Sequence, residues 1–190
     1  MDAIRGGERY TYADYAAWND GKRWELIDGV PYEMTFTAMA PAPGYAHQSA
    51  VGELFAQMHG FLRGKPCKAF IAPFDVRLDA GGEDDTVVQP DIVVVCDRSK
   101  LDEKGCNGAP DLIVEVLSPS TAGHDKLVKF NKYLQAGVRE YWIVDPDTKT
   151  ASVHILKDGE YVVGVYGEED SVNVNVLEGC AVSLAEVFAE

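Results

Sequence analysis

The sequence contains little of what marks a membrane or secreted protein. Its longest apolar runs are far shorter than the roughly 20 residues that a membrane-spanning helix requires. The N-terminal stretch Met1–Gly7 lacks the apolar core of a signal peptide. We therefore expect a cytoplasmic protein that does not associate with a membrane.

Cysteine and histidine are scarce and scattered. The 190 residues include four of each, and none of them forms a C-x-x-C or H-x-x-x-H pair. A zinc ribbon or another structural zinc site is therefore not expected, nor is a dense disulfide framework. We expect four reduced thiols, some of which fill the core: Cys67, Cys96, Cys106 and Cys180.

Basic side chains are also few. The chain has 17 Lys and Arg residues against 31 Asp and Glu residues, for a formal net charge of −14. A protein that covers nucleic acid broadly usually has a basic stripe, because phosphate neutralisation supplies much of the affinity. The segment 121–140 differs from the rest, since four basic residues there oppose two acidic ones. DNA binding is therefore expected to be local to this segment, with Lys126 and Lys132 as substrate contacts.

The length favours one domain spanning 1–190, large enough to bury about 70 % of the surface of its unfolded chain. Hydrophobic periodicity and turn residues predict helices at 11–18 (capped by Thr11), 44–62, 123–135 and 184–188. They predict strands at 23–27, 30–34, 69–78, 86–96, 111–118, 140–145, 151–157, 161–165 and 172–177. The Asp-Gly pairs at 28–29 and 158–159 indicate hairpins. The central order of helix, three strands, helix and strand predicts an α/β fold with a mixed α+β sheet.

Glu115 occupies an unusual place in the strand 111–118. Apolar residues fill both parities of this run, which is typical of a strand buried on both faces. A carboxylate there is costly unless it is paired, neutralised or bound to a metal. Asp91 follows Pro90 at the start of another apolar run, and neighbouring strands lie about 4.8 Å apart. The two carboxylates could therefore share one divalent cation, and hard oxygen ligands favour Mg²⁺ or Mn²⁺.

Lys129 lies on the helix that follows the Glu115 strand. It shares one predicted helix face with Asp125 and Tyr133, at spacings of four residues. A separate apolar stripe is expected to dock on the sheet (Leu127, Phe130 and Leu134). A polar row beside that stripe can point back across the strand ends, where a lysine suits a phosphate oxygen or an attacking water.

Each of these residues also has a simpler interpretation. Asp91 could be a turn residue, Glu115 could form a structural salt bridge to Lys129 or Arg139, and Lys129 could be a solvated charge. His47 could be a satisfied polar residue of its helix or could line a site. Tyr133 is expected to pack rather than to act in chemistry. A glycosidase with Asp91 and Glu115 as its acid pair has no further sequence signature.

Several segments together resemble one known family, the Uma-two family of restriction-endonuclease-like proteins in the PD-(D/E)xK nuclease superfamily. The resemblance extends from about residue 10 to residue 160. The matching segments are Trp24–Gly29, Pro43…His47, Pro90-Asp91, Ala109–Ser120, Asp125…Lys129…Tyr133 and Gly137–Asp145. The resemblance implies a restriction-endonuclease-like core, with added β-hairpins at both ends.

The resemblance also implies roles for single residues. Asp91 would be the metal-binding aspartate and Glu115 the acid of the D/E-x-K element. Leu117 stands where that element has its lysine, and similarity to members with a relocated lysine points to Lys129.

Glu25 and His47 also match family positions near the site, and Gln89 is a further candidate. Glu25 would add a metal contact, and His47 and Gln89 would contact substrate. The implied activity is Mg²⁺- or Mn²⁺-dependent endonucleolytic hydrolysis of DNA, in a possible homodimer because two cuts need two sites. The alternative is a catalytically inactive nucleic-acid- or protein-binding module that keeps the fold and uses Glu115 and Lys129 as an internal ion pair.

Overall fold

The computed structural model describes residues 7–34, 44–79, 82–118 and 125–189, with the side chains of 125–127 left out. Its helices are α1 Tyr12–Tyr15, α2 Tyr45–Leu62, α3 Asp125–Ala136 and α4 Leu184–Val187. Its first strands are β1 Trp24–Ile27, β2 Val30–Glu33, β3 Lys68–Ile71, β4 Val76–Arg77, β5 Val87–Val88, β6 Ile92–Val95, β7 Leu101–Asp102 and β8 Gly105–Asn107. The remaining strands are β9 Leu112–Val116, β10 Glu140–Asp145, β11 Thr150–Lys157, β12 Glu160–Gly167, β13 Ser171–Asn173 and β14 Ala181–Ser183.

The larger sheet contains the predicted core. Its strand order is β12-β11-β10-β9-β6-β3, and only β9 and β10 run parallel, because α3 connects them as a crossover. The sequence α2, β3, β6, β9, α3, β10 reproduces the predicted order of helix, three strands, helix and strand. In the sequence, the hairpin β1–β2 precedes these core elements and the hairpin β11–β12 follows them. Each hairpin has an Asp-Gly turn in which both residues have positive φ. The predicted mixed α/β fold is confirmed.

Helices cover both faces of the larger sheet. Leu54 and Met58 of α2 pack on one face with Val114 and Trp142. Tyr133 of α3 packs on the other face with residues of the opposite parity, including Ile113. The strand that contains Glu115 is therefore buried on both faces, as its apolar run predicts.

The smaller sheet was not predicted as a separate sheet. Its strand order is β2-β1-β5-β4-β8-β7. The predicted strands 69–78 and 86–96 are each divided, so that β3 and β6 join the larger sheet while β4 and β5 join the smaller one. Pro73 and Pro90 lie in the two breaks, and proline cannot donate a ladder hydrogen bond.

Helix α3 buries its polar row more deeply than its predicted apolar stripe. Lys129 and Tyr133 are 8 % and 0 % exposed, whereas Phe130 and Leu134 are only half-buried. Phe130 packs against this face of the sheet as predicted, and the polar row is buried beside it because Glu115 on the sheet gives Lys129 and Tyr133 a partner. The helix ends before Gly137, whose φ of 82° agrees with the predicted helix-terminating glycine.

Two of the four cysteines form a disulfide bond. Cys67 and Cys96 are bonded to each other next to the cross-strand pair Lys68 and Val95 of β3 and β6. The prediction of four reduced thiols is wrong for these two, since only the strand register shows that they are opposed. Cys106 and Cys180 are free and buried, as expected. Within the described ranges, no helix is long and apolar enough to cross a membrane.

Candidate active site

Asp91, directly before β6, lies beside Glu115 of the neighbouring strand β9. The antiparallel register of β6 and β9 pairs Ile92 with Val114, so the next position places Asp91 opposite Glu115. Asp91 Oδ2 accepts a hydrogen bond of 2.8 Å from the backbone N–H of Val116. The two side chains are 21 % and 18 % exposed, so both carboxylates can be reached from solvent.

Lys129 and Tyr133 reach Glu115 from α3. The Nζ atom of Lys129 lies 3.4 Å from Glu115 Oε1, and the hydroxyl of Tyr133 donates to the same oxygen at 2.8 Å. Residues four apart on a helix share a face, so both donors converge on one carboxylate oxygen. The role of Tyr133 as a hydrogen-bond donor was not predicted, although its spacing from Lys129 was visible in the sequence.

Glu25 binds Lys129 more closely than Glu115 does. Glu25 lies in β1 and is 4 % exposed, and its Oε1 is 2.8 Å from Lys129 Nζ. The same oxygen accepts the backbone N–H of Gln89 at 2.8 Å. The smaller sheet therefore brings a carboxylate to the ammonium group of Lys129, across 104 residues of sequence.

The side chain of Gln89 is engaged within the protein. Its Oε1 accepts from Arg23 Nη2 at 2.6 Å, and its Nε2 donates to Asp75 Oδ1 at 2.7 Å and to Tyr15 Oη at 3.1 Å. These contacts fix the backbone N–H that Gln89 donates to Glu25. The substrate contact predicted for Gln89 stays a prediction.

His47 lies on α2 beside Asp91. Its Nε2 is 3.5 Å from Asp91 Oδ2, and its Nδ1 has no hydrogen-bond partner among the described residues. The contact with Asp91 raises the pKa of His47 above its ordinary value, against the opposite effect of burial. A protonated His47 would add a positive charge at the edge of the site.

Burial and neighbouring charges shift the pKa values of Glu115 and Lys129. Burial raises the pKa of Glu115 from 4.5 to about 7; Lys129 opposes this shift, and the Asp91 and Glu25 charges add to it. Burial alone would lower the pKa of Lys129, but Glu115 and Glu25 outweigh it and raise that pKa. Lys129 therefore stays protonated, whereas Glu115 titrates near neutral pH.

The basic segment 121–140 is largely neutralised within the fold. Lys132 forms an ion pair with Asp28, and Arg139 pairs with Asp111 at 3.0 Å rather than with Glu115. Lys129 is paired as described above. The side chain of Lys126 lies outside the described part of the structure, so its predicted contact with substrate stays a prediction.

Asp91 and Glu115 fit a divalent cation as two carboxylate ligands. Among the described residues, no hydrogen bond uses Asp91 Oδ1 or Glu115 Oε2. Mg²⁺ is commonly bound through one or two carboxylates together with water. No group of three or more His, Cys, Asp or Glu side chains in the described ranges is arranged to hold a metal ion, so Glu25 does not form such a group with this pair.

The order of elements and the mixed sheet define a restriction-endonuclease-like fold. The chain belongs to the Uma2 family, described as putative restriction endonucleases, whose profile matches residues 11–185. It is similar to a crystal structure of a putative nuclease belonging to DUF820 from Anabaena variabilis, with a TM-score of 0.72 and 21 % identity. The similarity covers 95 % of this chain and 98 % of that one. No curated protein matches the chain.

Proposed function

We propose that this protein is a metal-dependent endonuclease that hydrolyses DNA phosphodiester bonds. The observation that carries the proposal is the 3.4 Å separation between Lys129 Nζ and Glu115 Oε1, with Asp91 opposite Glu115 on the next strand. These are the two acids and the lysine that such a nuclease requires, and they meet although Leu117 occupies the usual place of the lysine. The family to which the chain belongs supports the same activity.

Asp91 and Glu115 would hold one Mg²⁺ or Mn²⁺ ion, which acts as a Lewis acid on the scissile phosphate when bound. Lys129 would stabilise the negative charge that grows on the phosphate oxygens during attack. Its raised pKa keeps it protonated, so it acts through charge and hydrogen bonding rather than as a base. Tyr133 and Lys129 occupy one oxygen of Glu115 and thereby fix the orientation of its carboxylate.

The charge distribution bears on how DNA would be held. Lys129 and Lys132 of α3 form ion pairs within the protein. We therefore expect another surface to contribute to DNA binding. Residues 54–74 contain no Asp or Glu, and within them Arg63, Lys65 and Lys68 are exposed. This stretch includes the end of α2, and its Arg63 is 16 residues from His47, which corresponds to about 24 Å of helix. A duplex bound at the site could therefore extend to this basic stretch.

A second candidate is a non-catalytic binding module. The contacts of 2.8 and 3.4 Å that Lys129 makes with two carboxylates are those of an internal ion pair, and the net charge of −14 also favours this function. The two candidates differ in metal binding. A module that uses Glu115 and Lys129 only as an ion pair does not bind Mn²⁺ at this site.

Nicking of supercoiled plasmid DNA with Mg²⁺ or Mn²⁺ tests the proposal. We expect Asp91→Asn and Glu115→Gln to abolish nicking, whereas the exposed control substitutions Glu178→Gln and Lys157→Gln leave it unchanged. Equal activity in all variants would indicate a contaminating nuclease and overturn the assignment of the site. An absence of Mn²⁺ binding at millimolar concentration in calorimetry would favour the non-catalytic module. Light scattering of the same protein tests the proposed homodimer.

A further inference from the structure

We propose that Glu25 is a positioning residue that holds the ammonium group of Lys129 beside Glu115, rather than a third metal ligand. The proposal rests on the proposed function, because it assigns a role within the same site. It differs from the resemblance-based prediction, which gives Glu25 a contact with the metal.

The hydrogen bonds of Glu25 indicate that its carboxylate holds Lys129 rather than a metal ion. Its Oε1 accepts both Lys129 Nζ and the backbone N–H of Gln89, each at 2.8 Å. The ammonium group at 2.8 Å makes Glu25 a poorer ligand for a divalent cation than Glu115, whose contact with the same group is 3.4 Å, because the two positive charges repel each other. Among the described residues, Glu25 also does not group with Asp91 and Glu115 in an arrangement that could hold a metal.

Glu25 is itself held firmly. It is paired with Tyr32 in the β1–β2 ladder and is 4 % exposed. The Gln89 backbone that donates to it is fixed in turn by side-chain bonds to Arg23 and Asp75. A carboxylate supported in this way can define the position of a flexible partner.

Lys129 requires such a partner. A lysine has a four-carbon stem with many rotamers, and fixing it costs conformational entropy. Its contact with Glu115 is 3.4 Å long, at the limit of a hydrogen bond, whereas its contact with Glu25 is 2.8 Å. Without Glu25, the ammonium group would therefore lose its closer anchor.

Charge balance supports the same role. Glu25, Asp91 and Glu115 carry three negative charges, which one ammonium group and one divalent cation would neutralise. Glu25 is the carboxylate closest to Lys129, and Asp91 and Glu115 remain for the cation. Neutralising Glu25 would therefore remove the carboxylate that balances the charge of Lys129, without removing either carboxylate of the proposed metal pair.

The first test is Mn²⁺ affinity measured by calorimetry. We expect Glu25→Gln to retain Mn²⁺ binding within about threefold of the wild type, because it leaves both carboxylates of the proposed metal pair in place, whereas removing a ligand lowers the affinity much further. Asp91→Asn and Glu115→Gln provide the reference for lost ligands. A loss of affinity in Glu25→Gln as large as theirs would overturn the proposal.

The second test separates turnover from substrate binding. We expect Glu25→Gln to lower kcat for nicking by about 10- to 100-fold with little change in KM. In a Lys129→Met background, the same substitution should add less than about a twofold loss, since two residues that act through one contact are not additive. A full additional loss in that background would show that Glu25 acts independently of Lys129. The matched control is Glu33→Gln, which breaks an ion pair with Lys22 in the same hairpin.

The third test does not need activity. The side-chain ammonium resonance of Lys129, assigned with Lys129→Met, should be observable in the wild type because the group is buried and hydrogen-bonded. We expect Glu25→Gln to broaden or shift it strongly and Glu33→Gln to leave it in place. If the wild type neither nicks DNA nor binds Mn²⁺, the proposed function fails and this signal alone decides the role of Glu25. An unchanged signal in Glu25→Gln overturns the role.

Discussion

Lys129 and Glu115 are 14 residues apart in the sequence, yet Nζ and Oε1 lie 3.4 Å apart across the contact between α3 and β9. The lysine thus reaches the acid from a helix, whereas the D/E-x-K element carries it two residues further along the same strand. At that position this chain has Leu117, whose backbone N–H donates to Val144 O at 2.7 Å. The positive charge of the site therefore comes from a different element.

Moving the lysine from position 129 to position 117 tests whether the site needs only a positive charge or needs that charge to come from α3. Lys129→Met should lower nicking by about 100-fold or more, because it removes charge stabilisation of the transition state. Adding Leu117→Lys should recover about tenfold of that loss, since residues two apart on a strand share a face but a misplacement of about 1 Å is costly. Plasmid nicking rates measure both. No recovery in a double variant that still folds by circular dichroism would contradict this prediction.

Stability should depend on pH through Glu115. Its pKa is raised from 4.5 to about 7 in the folded protein, so between these values the folded chain holds a proton that the unfolded chain releases. Stability from this residue is therefore greatest below about pH 4.5 and falls as the pH rises towards 7, by about 1–3 kcal/mol. Urea unfolding at pH 5 and pH 8 measures the fall. Glu115→Gln should reduce it, and an equal fall in that variant would assign it to other groups.

Reduction of the disulfide should destabilise the fold. The Cys67–Cys96 bond closes a loop with a sequence separation of 29, and the loss of this constraint on the unfolded chain is expected to cost about 3 kcal/mol. Urea unfolding with and without dithiothreitol measures this cost. The Cys67→Ser/Cys96→Ser variant should show the lower stability under both conditions. A dithiothreitol effect that persists in this variant would show that the cost arises elsewhere.

Gly105 should be intolerant of substitution. It has a φ of 125°, and an added Cβ would overlap the backbone oxygen of Asp75, which accepts a hydrogen bond from the Cys106 N–H. We expect Gly105→Ala to lower the free energy of unfolding by about 2 kcal/mol or more. Gly52→Ala in α2 is the control, because its Cβ meets nothing within 4 Å, and it should stabilise the helix by about 0.5–1 kcal/mol. Equal effects of the two substitutions would contradict the prediction.

The basic stretch after α2 should contribute to DNA binding. We expect Arg63→Gln/Lys68→Gln to raise KM for nicking without changing kcat, and to reduce the salt slope of DNA binding by about two. The control Lys104→Gln/Lys157→Gln removes the same charge from other exposed positions. If both double variants raise KM equally, net charge rather than this surface is responsible.

The central elements could be read from the sequence because their patterns are long. Helix α2 shows its apolar spacing over 18 residues, and the apolar run around Glu115 is typical of a buried strand. Strands such as β4 and β5 have two residues each, which is too short for any periodicity. Their membership of a second sheet depends on pairings between distant segments.

The candidate site was predictable only as far as it depends on neighbouring strands. Asp91 directly precedes β6 and Glu115 lies in β9, which both belong to the predicted central strands, so their proximity follows from the order of elements. The contact of Glu25 with Lys129 spans 104 residues and passes through the smaller sheet, so no local pattern contains it. The Cys67–Cys96 bond was missed for the same reason, because it depends on the register of β3 against β6.

Strand β5 of the smaller sheet and strand β6 of the larger sheet are joined by a connection of only three residues, 89–91. Gln89 gives its N–H to Glu25 in the smaller sheet, and Asp91 faces Glu115 in the larger one. An insertion or deletion of one residue here would turn Asp91 to the opposite face of its strand. We therefore expect related chains to keep the length of this connection constant.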